Sequence, residues 1–161
     1  MPAHEQLTDT KITILLNALD FQLHEIQRRQ DREQQIFQWS TSLLLAIFGV
    51  VTALFGTTAA TPFPLIVKLL ASLMVGLPIL FSVYWIFRLS HQATNNAATV
   101  ERIQNILLLF DTSYYGPKSP YPQEWQGKLA RNLRQRRTPL YYALTLGTMT
   151  VCVVLSIWLV L

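Results

Sequence analysis

Residues 28–55 read RRQDREQQIFQWSTSLLLAIFGVVTALF. Within this stretch the chain changes solvent. Arg28-Arg29-Gln30-Asp31-Arg32-Glu33 is dense in charge, and after Glu33 no charged residue appears until Lys68. An uncharged apolar run of more than about 18 residues fits hydrocarbon better than a protein interior.

The same map extends over the rest of the 161 residues. Gln34 to Val67, Leu69 to Phe87 and Thr138 to Leu161 carry no charge, and Lys68 is the one basic residue among them. The composition is 51% hydrophobic and 14% charged, against roughly a quarter charged in soluble domains. The first 35 residues are polar, unlike the short basic start and early apolar core of a secretory signal.

Three spans follow: 37–60, 65–87 and 139–161. Each exceeds the ~20 residues needed to cross ~30 Å of hydrocarbon at 1.5 Å per residue. Thr57 to Pro64 is an uncharged turn with two prolines, so the first two spans should form a tight hairpin. The expected fold is an all-α integral membrane bundle of three transmembrane helices, with a cytoplasmic helical-hairpin stalk.

Charge sets the orientation. Lys11, Arg28, Arg29 and Arg32 precede the first span, and eight basic residues lie between Arg88 and Arg137. The positive-inside bias places 1–36 and 88–137 in the cytoplasm of a cell with this protein in its inner membrane, and the C-terminus outside. Lys68 sits where its stem can snorkel to the outer headgroups. Trp39, Trp85 and Tyr141-Tyr142 fall at the cytoplasmic aromatic belt, and Trp158 near the outer one.

Helical periodicity continues beyond the membrane. Leu19, Leu23, Ile26, Gln30, Glu33 and Phe37 recur at alternating spacings of 4 and 3. Ala93, Ala97, Val100, Ile103 (or Gln104), Leu107 and Phe110 repeat the pattern after the second span. Both helices should therefore run on from their spans into a paired stalk, Leu19 to Phe37 with Ala93 to Phe110, within the cytoplasmic segments 1–36 and 88–121; Asp111 to Tyr121, with Gly116, Pro117 and Pro120, should be the loop that ends it. A hairpin turning at Thr61-Pro62 levels Leu23 with Glu101, Ile26 with Ala98, and Glu33 with His91. That last pair is an ordinary solvated ion pair in the simpler reading and a pH-sensitive latch in the sharper one.

The spans carry their own faces. Ser42, Ala46, Gly49, Ala53, Gly56 and Ala60 form a stripe of small residues that permits close helix approach or self-association in lipid. Tyr141, Thr145, Thr148, Cys152 and Ser156 form a row on the third span. Packing, with hydroxyls turned onto backbone carbonyls, is the simpler account; pore lining in an oligomer is the alternative. Gly76 and Pro78 suit a kink in the second span.

The segment 122–137 should be a basic amphipathic helix starting at Pro122. Trp125, Leu129 and Leu133 line one side; Lys128, Arg131, Arg134, Arg136 and Arg137 surround the others. This suits a helix lying in the membrane interface with its cations on anionic headgroups. Nucleic acid is disfavoured, since phosphate contacts alone carry no sequence information and the Trp-Leu side suits lipid.

Chemistry is absent from the pattern. There is no phosphate-binding Gly-rich loop, nucleophile elbow, zinc-binding His-Glu-x-x-His or paired Cys. Cys152 is the single cysteine, and His4, His24 and His91 are scattered. No cofactor, metal or enzymatic activity is expected. No Asp, Glu, Arg or His lies at mid-membrane depth, which argues against coupled transport.

The layout resembles that of the small prokaryotic SLATT-type membrane effectors. The resemblance is carried by Gln22 to Phe37, with its Arg28-Arg29-Gln-Asp-Arg-Glu run, and by the hairpin to Arg88, about half the chain. It implies an oligomeric pore controlled by a separate cytoplasmic partner. The third span, with no sensor domain after it, departs from the usual layout. The expected function is a homo-oligomeric membrane scaffold or partner-binding subunit; a channel gated from the cytoplasm is the alternative.

Overall fold

A computed structural model of the protein describes residues 3–55, 64–110 and 122–160. Every regular element among them is helical. They are α1 (Ala3–Phe55), α2 (Leu65–Ile106), a 3-10 turn (Gln123–Trp125), α3 (Lys128–Gln135) and α4 (Thr138–Val160). Three of the helices, α1, α2 and α4, are long and apolar enough to cross a membrane. The expected turn at 57–64, apart from Pro64, and the loop at 111–121 lie outside the described residues, as do Gly56 and Ala60 of the small stripe.

The chain divides into two compact units: Arg32–Arg88 with Arg137–Leu161, and Met1–Asp31 with Leu89–Arg136. In the first, all three long helices contribute to one apolar core. Leu44 and Val51 of α1 meet Val75, Ile79 and Ile86 of α2 and Leu146, Val153 and Ile157 of α4. The buried positions explain the pairing. On α1, Glu33, Ser40, Leu44 and Val51 are buried, with Phe37 and Ile47 partly so; their spacings alternate 4 and 3. On α2 the same alternation runs through Val75, Ile79, Ser82 and Ile86. A repeat averaging 3.5 residues keeps one seam facing its partner along the helix. Phe37 stacks on Tyr142, with ring centroids 4.2 Å apart, which ties α1 to the start of α4. At the other end Lys68 Nζ donates to the Trp158 carbonyl (3.4 Å), and Trp158 Nε1 donates to Ser72 Oγ (3.2 Å).

In the second unit Ile26, Ala97 and Val100 form a small core. Ala97 and Val100 are fully buried, so an alanine here admits close approach of the neighbouring helix. Arg29 donates to Glu25 Oε1 (3.0 Å) and to Gln92 Oε1.

Ser40 Oγ donates to Ser82 Oγ (3.0 Å), a hydrogen bond that links α1 to α2. One detail differs from expectation. The segment after Pro122 is not one helix. Gly127 takes φ 70, a left-handed conformation that interrupts the 3-10 turn, and α3 starts afresh at Lys128.

Candidate functional site

Three faces carry the residues that the sequence singles out. Among the described residues no group of His, Cys, Asp or Glu could hold a metal ion.

The small stripe on α1 is the first face. Ser42, Ala46, Gly49 and Ala53 are all exposed, on the side of α1 away from Leu44 and Val51. A Cβ built on Gly49 would meet nothing within 4 Å. Among the described residues these four positions are therefore left open.

The hydroxyl row on α4 is the second. Tyr141, Thr145, Thr148 and Cys152 are exposed, and Ser156 is half-buried. Thr145 donates to the Tyr141 carbonyl (2.9 Å), Thr148 to Leu144 (2.9 Å) and Ser156 to Cys152 (2.8 Å). Each hydroxyl proton is thus used on its own helix. Thr148 and Cys152 also border an apolar depression shared with Leu45 and Phe48 of α1.

The basic segment is the third. Lys128, Arg131, Arg134 and Arg137 are exposed and Arg136 is half-buried. Arg136 caps the end of α3, and Arg137 precedes α4. The apolar side of α3 has a protein partner: Leu129, Ala130 and Leu133 pack against Ile26, Ala97 and Val100. Trp125 stays exposed. Glu101 on α2 accepts a 2.8 Å hydrogen bond from the Ala130 backbone N–H. It thereby caps α3 from outside, because Gly127 at the N-cap has no side chain to do so; a carboxylate there also suits the helix dipole. A membrane-surface role for this segment therefore rests on its cations and Trp125, since Leu129 and Leu133 are already covered.

Glu33 is 1% exposed and lies on the seam side of α1. His91 is exposed on α2, and Leu89 and Ala93 on either side of it are buried. The two belong to separate compact units.

Periodicity alone did not single out Ser40, Ser82 or Glu101. Extending the stalk seam past Phe37 by the same 3-4 spacing would have reached Ser40 and Leu44. It also left a groove unread. A trough of about 590 Å³ runs between Ile36, Trp39 and Ser40 of α1 and Pro78, Phe81 and Trp85 of α2.

The chain matches no protein-family model, and no curated protein or solved structure resembles it closely enough to lend it a function.

Proposed function

We propose that the protein is a three-span inner-membrane protein that self-associates and serves as a scaffold or partner-binding subunit, with its N-terminus and the 88–137 segment in the cytoplasm. Three long apolar helices support the membrane part. So does the surface of Arg32–Arg88 with Arg137–Leu161, where Leu45, Val50, Leu70, Leu77, Leu80 and Leu155 are more than half exposed. Water-facing proteins rarely expose that much apolar surface.

The observation that carries self-association is the open stripe Ser42, Ala46, Gly49 and Ala53. In lipid, small residues at this spacing gain van der Waals contact when another backbone approaches. The experiment is disulfide cross-linking in native membranes of Gly49→Cys in a Cys152→Ser background. Cross-linked dimer that persists when the membranes are diluted with added lipid is the expected result. Monomer alone would remove the self-association.

A pore is the second reading, favoured by one observation: Thr145, Thr148 and Cys152 turn away from the core of their own protomer. Conductance of the purified protein in liposomes separates the two readings.

A further inference from the structure

The trough between α1 and α2 has a construction that specifies its occupant. Its floor is thin because Ser40 and Ser82 meet there, hydrogen-bonded to each other at 3.0 Å. Its walls are wide aromatics: Trp39 on one side, and Phe81 stacked on Trp85 (centroids 5.9 Å) on the other. Ser40 donates to Ser82, and Ser82 donates to the Pro78 carbonyl. The floor hydroxyls are therefore satisfied and ask nothing of a ligand, which suits a hydrocarbon chain. Pro78 to Trp85 covers about 10 Å of helix at 1.5 Å per residue.

One end of the trough is cationic. Arg88 lies one turn beyond Trp85, its guanidinium 5.0 Å from the ring centroid. Arg32 sits on the α1 line that continues through Gln35 and Trp39, at spacings of 3 and 4. Both arginines are exposed. Among the described residues no acidic side chain forms a salt bridge with either. The trough thus runs from a pair of exposed cations, one of them held over the Trp85 ring, past the Gln35 amide, into an apolar cleft.

We propose that this trough binds one anionic phospholipid, with an acyl chain between Trp39 and Trp85 and the phosphate on Arg32 and Arg88. The proposal rests on the membrane placement above. Charge complementarity selects the occupant: phosphate suits guanidinium, and basic side chains at the cytoplasmic surface attract anionic lipid. A second copy is a poorer fit. Copies inserted in one orientation and paired through this face would bring like charges at Arg32 and Arg88 to the same level. The small stripe at Ala46 and Gly49 lies further along α1, beyond the trough, and stays available for self-association.

The test uses the tryptophans that line the trough. A Trp125→Phe/Trp158→Phe variant keeps Trp39 and Trp85 as the reporters. It is reconstituted with lipids brominated on their acyl chains, either anionic phosphatidylglycerol or zwitterionic phosphatidylcholine, at the same low mole fraction. A variant retaining only Trp158 reports membrane insertion by itself. The expected result is a preference of roughly fivefold for the anionic quencher at Trp39 and Trp85. Arg32→Gln/Arg88→Gln should abolish that preference, and Arg32→Lys/Arg88→Lys should keep most of it. Equal quenching by both lipids would overturn the proposal, as would a preference that survives the glutamine variant. If Trp158 is quenched while Trp39 and Trp85 are reached by neither lipid, protein fills the trough and the proposal also fails. If neither lipid quenches any tryptophan, the membrane placement fails with it.

Discussion

Ser40, 1% exposed on α1, donates a 3.0 Å hydrogen bond to Ser82 on α2, and Ser82 donates one in turn to the Pro78 carbonyl at 2.9 Å. This relay is the polar link in a seam otherwise made by Leu44, Val51, Val75, Ile79 and Ile86. Hydrogen bonds between membrane helices contribute about 0.6 kcal/mol on average. Ser82→Ala should therefore cost less than about 1 kcal/mol. Ser40→Leu should cost more, about 1–3 kcal/mol, because Ser40 is buried where α1 meets Ser82 and the added volume must push the two helices apart. Unfolding of both variants in bicelles checks the order; a larger loss for Ser82→Ala would mean the bond outweighs the packing.

Ala97 sets the closeness of the helices in the second unit. It is fully buried against Ile26 and Val100. Ala97→Leu should cost about 1–3 kcal/mol through overpacking, while His91→Leu, on the exposed side, should cost little. Hydrogen exchange should show protection lost around Ile26 and Val100 in the first variant and kept in the second. Equal protection in both would place the tight contact elsewhere.

Glu101 holds the start of α3 through the Ala130 N–H. Its loss in Glu101→Ala removes an N-terminal cap and a favourable charge, a change of about 1 kcal/mol. Limited trypsin cleavage at Lys128 and Arg131 should then speed up severalfold, with Glu101→Gln in between. Unchanged cleavage would mean that Leu129 and Leu133 hold the segment alone.

Thr145 and Thr148 use their hydroxyls on their own helix. Thr145→Val/Thr148→Val should leave both stability and subunit count unaltered if the row merely packs. A changed single-channel conductance in the same variant would favour the pore reading instead.

The long helices were legible because their seams are written in a single repeat. Ile26 and Glu33 on α1, and Ala97, Val100 and Ile103 on α2, are buried at the expected spacings, whereas Leu23, placed in the same row, is 43% exposed. The chain segments that were misread depend on information no local pattern holds. Pro122 looks like a helix start, yet Gly127 adopts φ 70 and splits the segment. Leu129 and Leu133 look like a lipid-facing side until Ile26 and Val100 cover them. The Ser42–Ala53 stripe and the Thr145–Cys152 row were visible as faces. Their employment was not visible, because the core is made by other positions on both helices. The trough was missed for a related reason: Trp39 and Trp85 read singly as belt residues, and the space between them arises only when α1 and α2 pair.

The proposed function depends most on the side of the membrane on which each segment lies. Two single-cysteine variants in a Cys152→Ser background test it: His24→Cys on α1 and Pro64→Cys ahead of α2, both at exposed positions. A membrane-impermeant maleimide applied to intact spheroplasts should modify Pro64→Cys, and should reach His24→Cys only after lysis. Modification of His24→Cys in intact spheroplasts as fast as Pro64→Cys would contradict the assigned orientation and, with it, the cytoplasmic placement of the 1–36 and 88–137 segments.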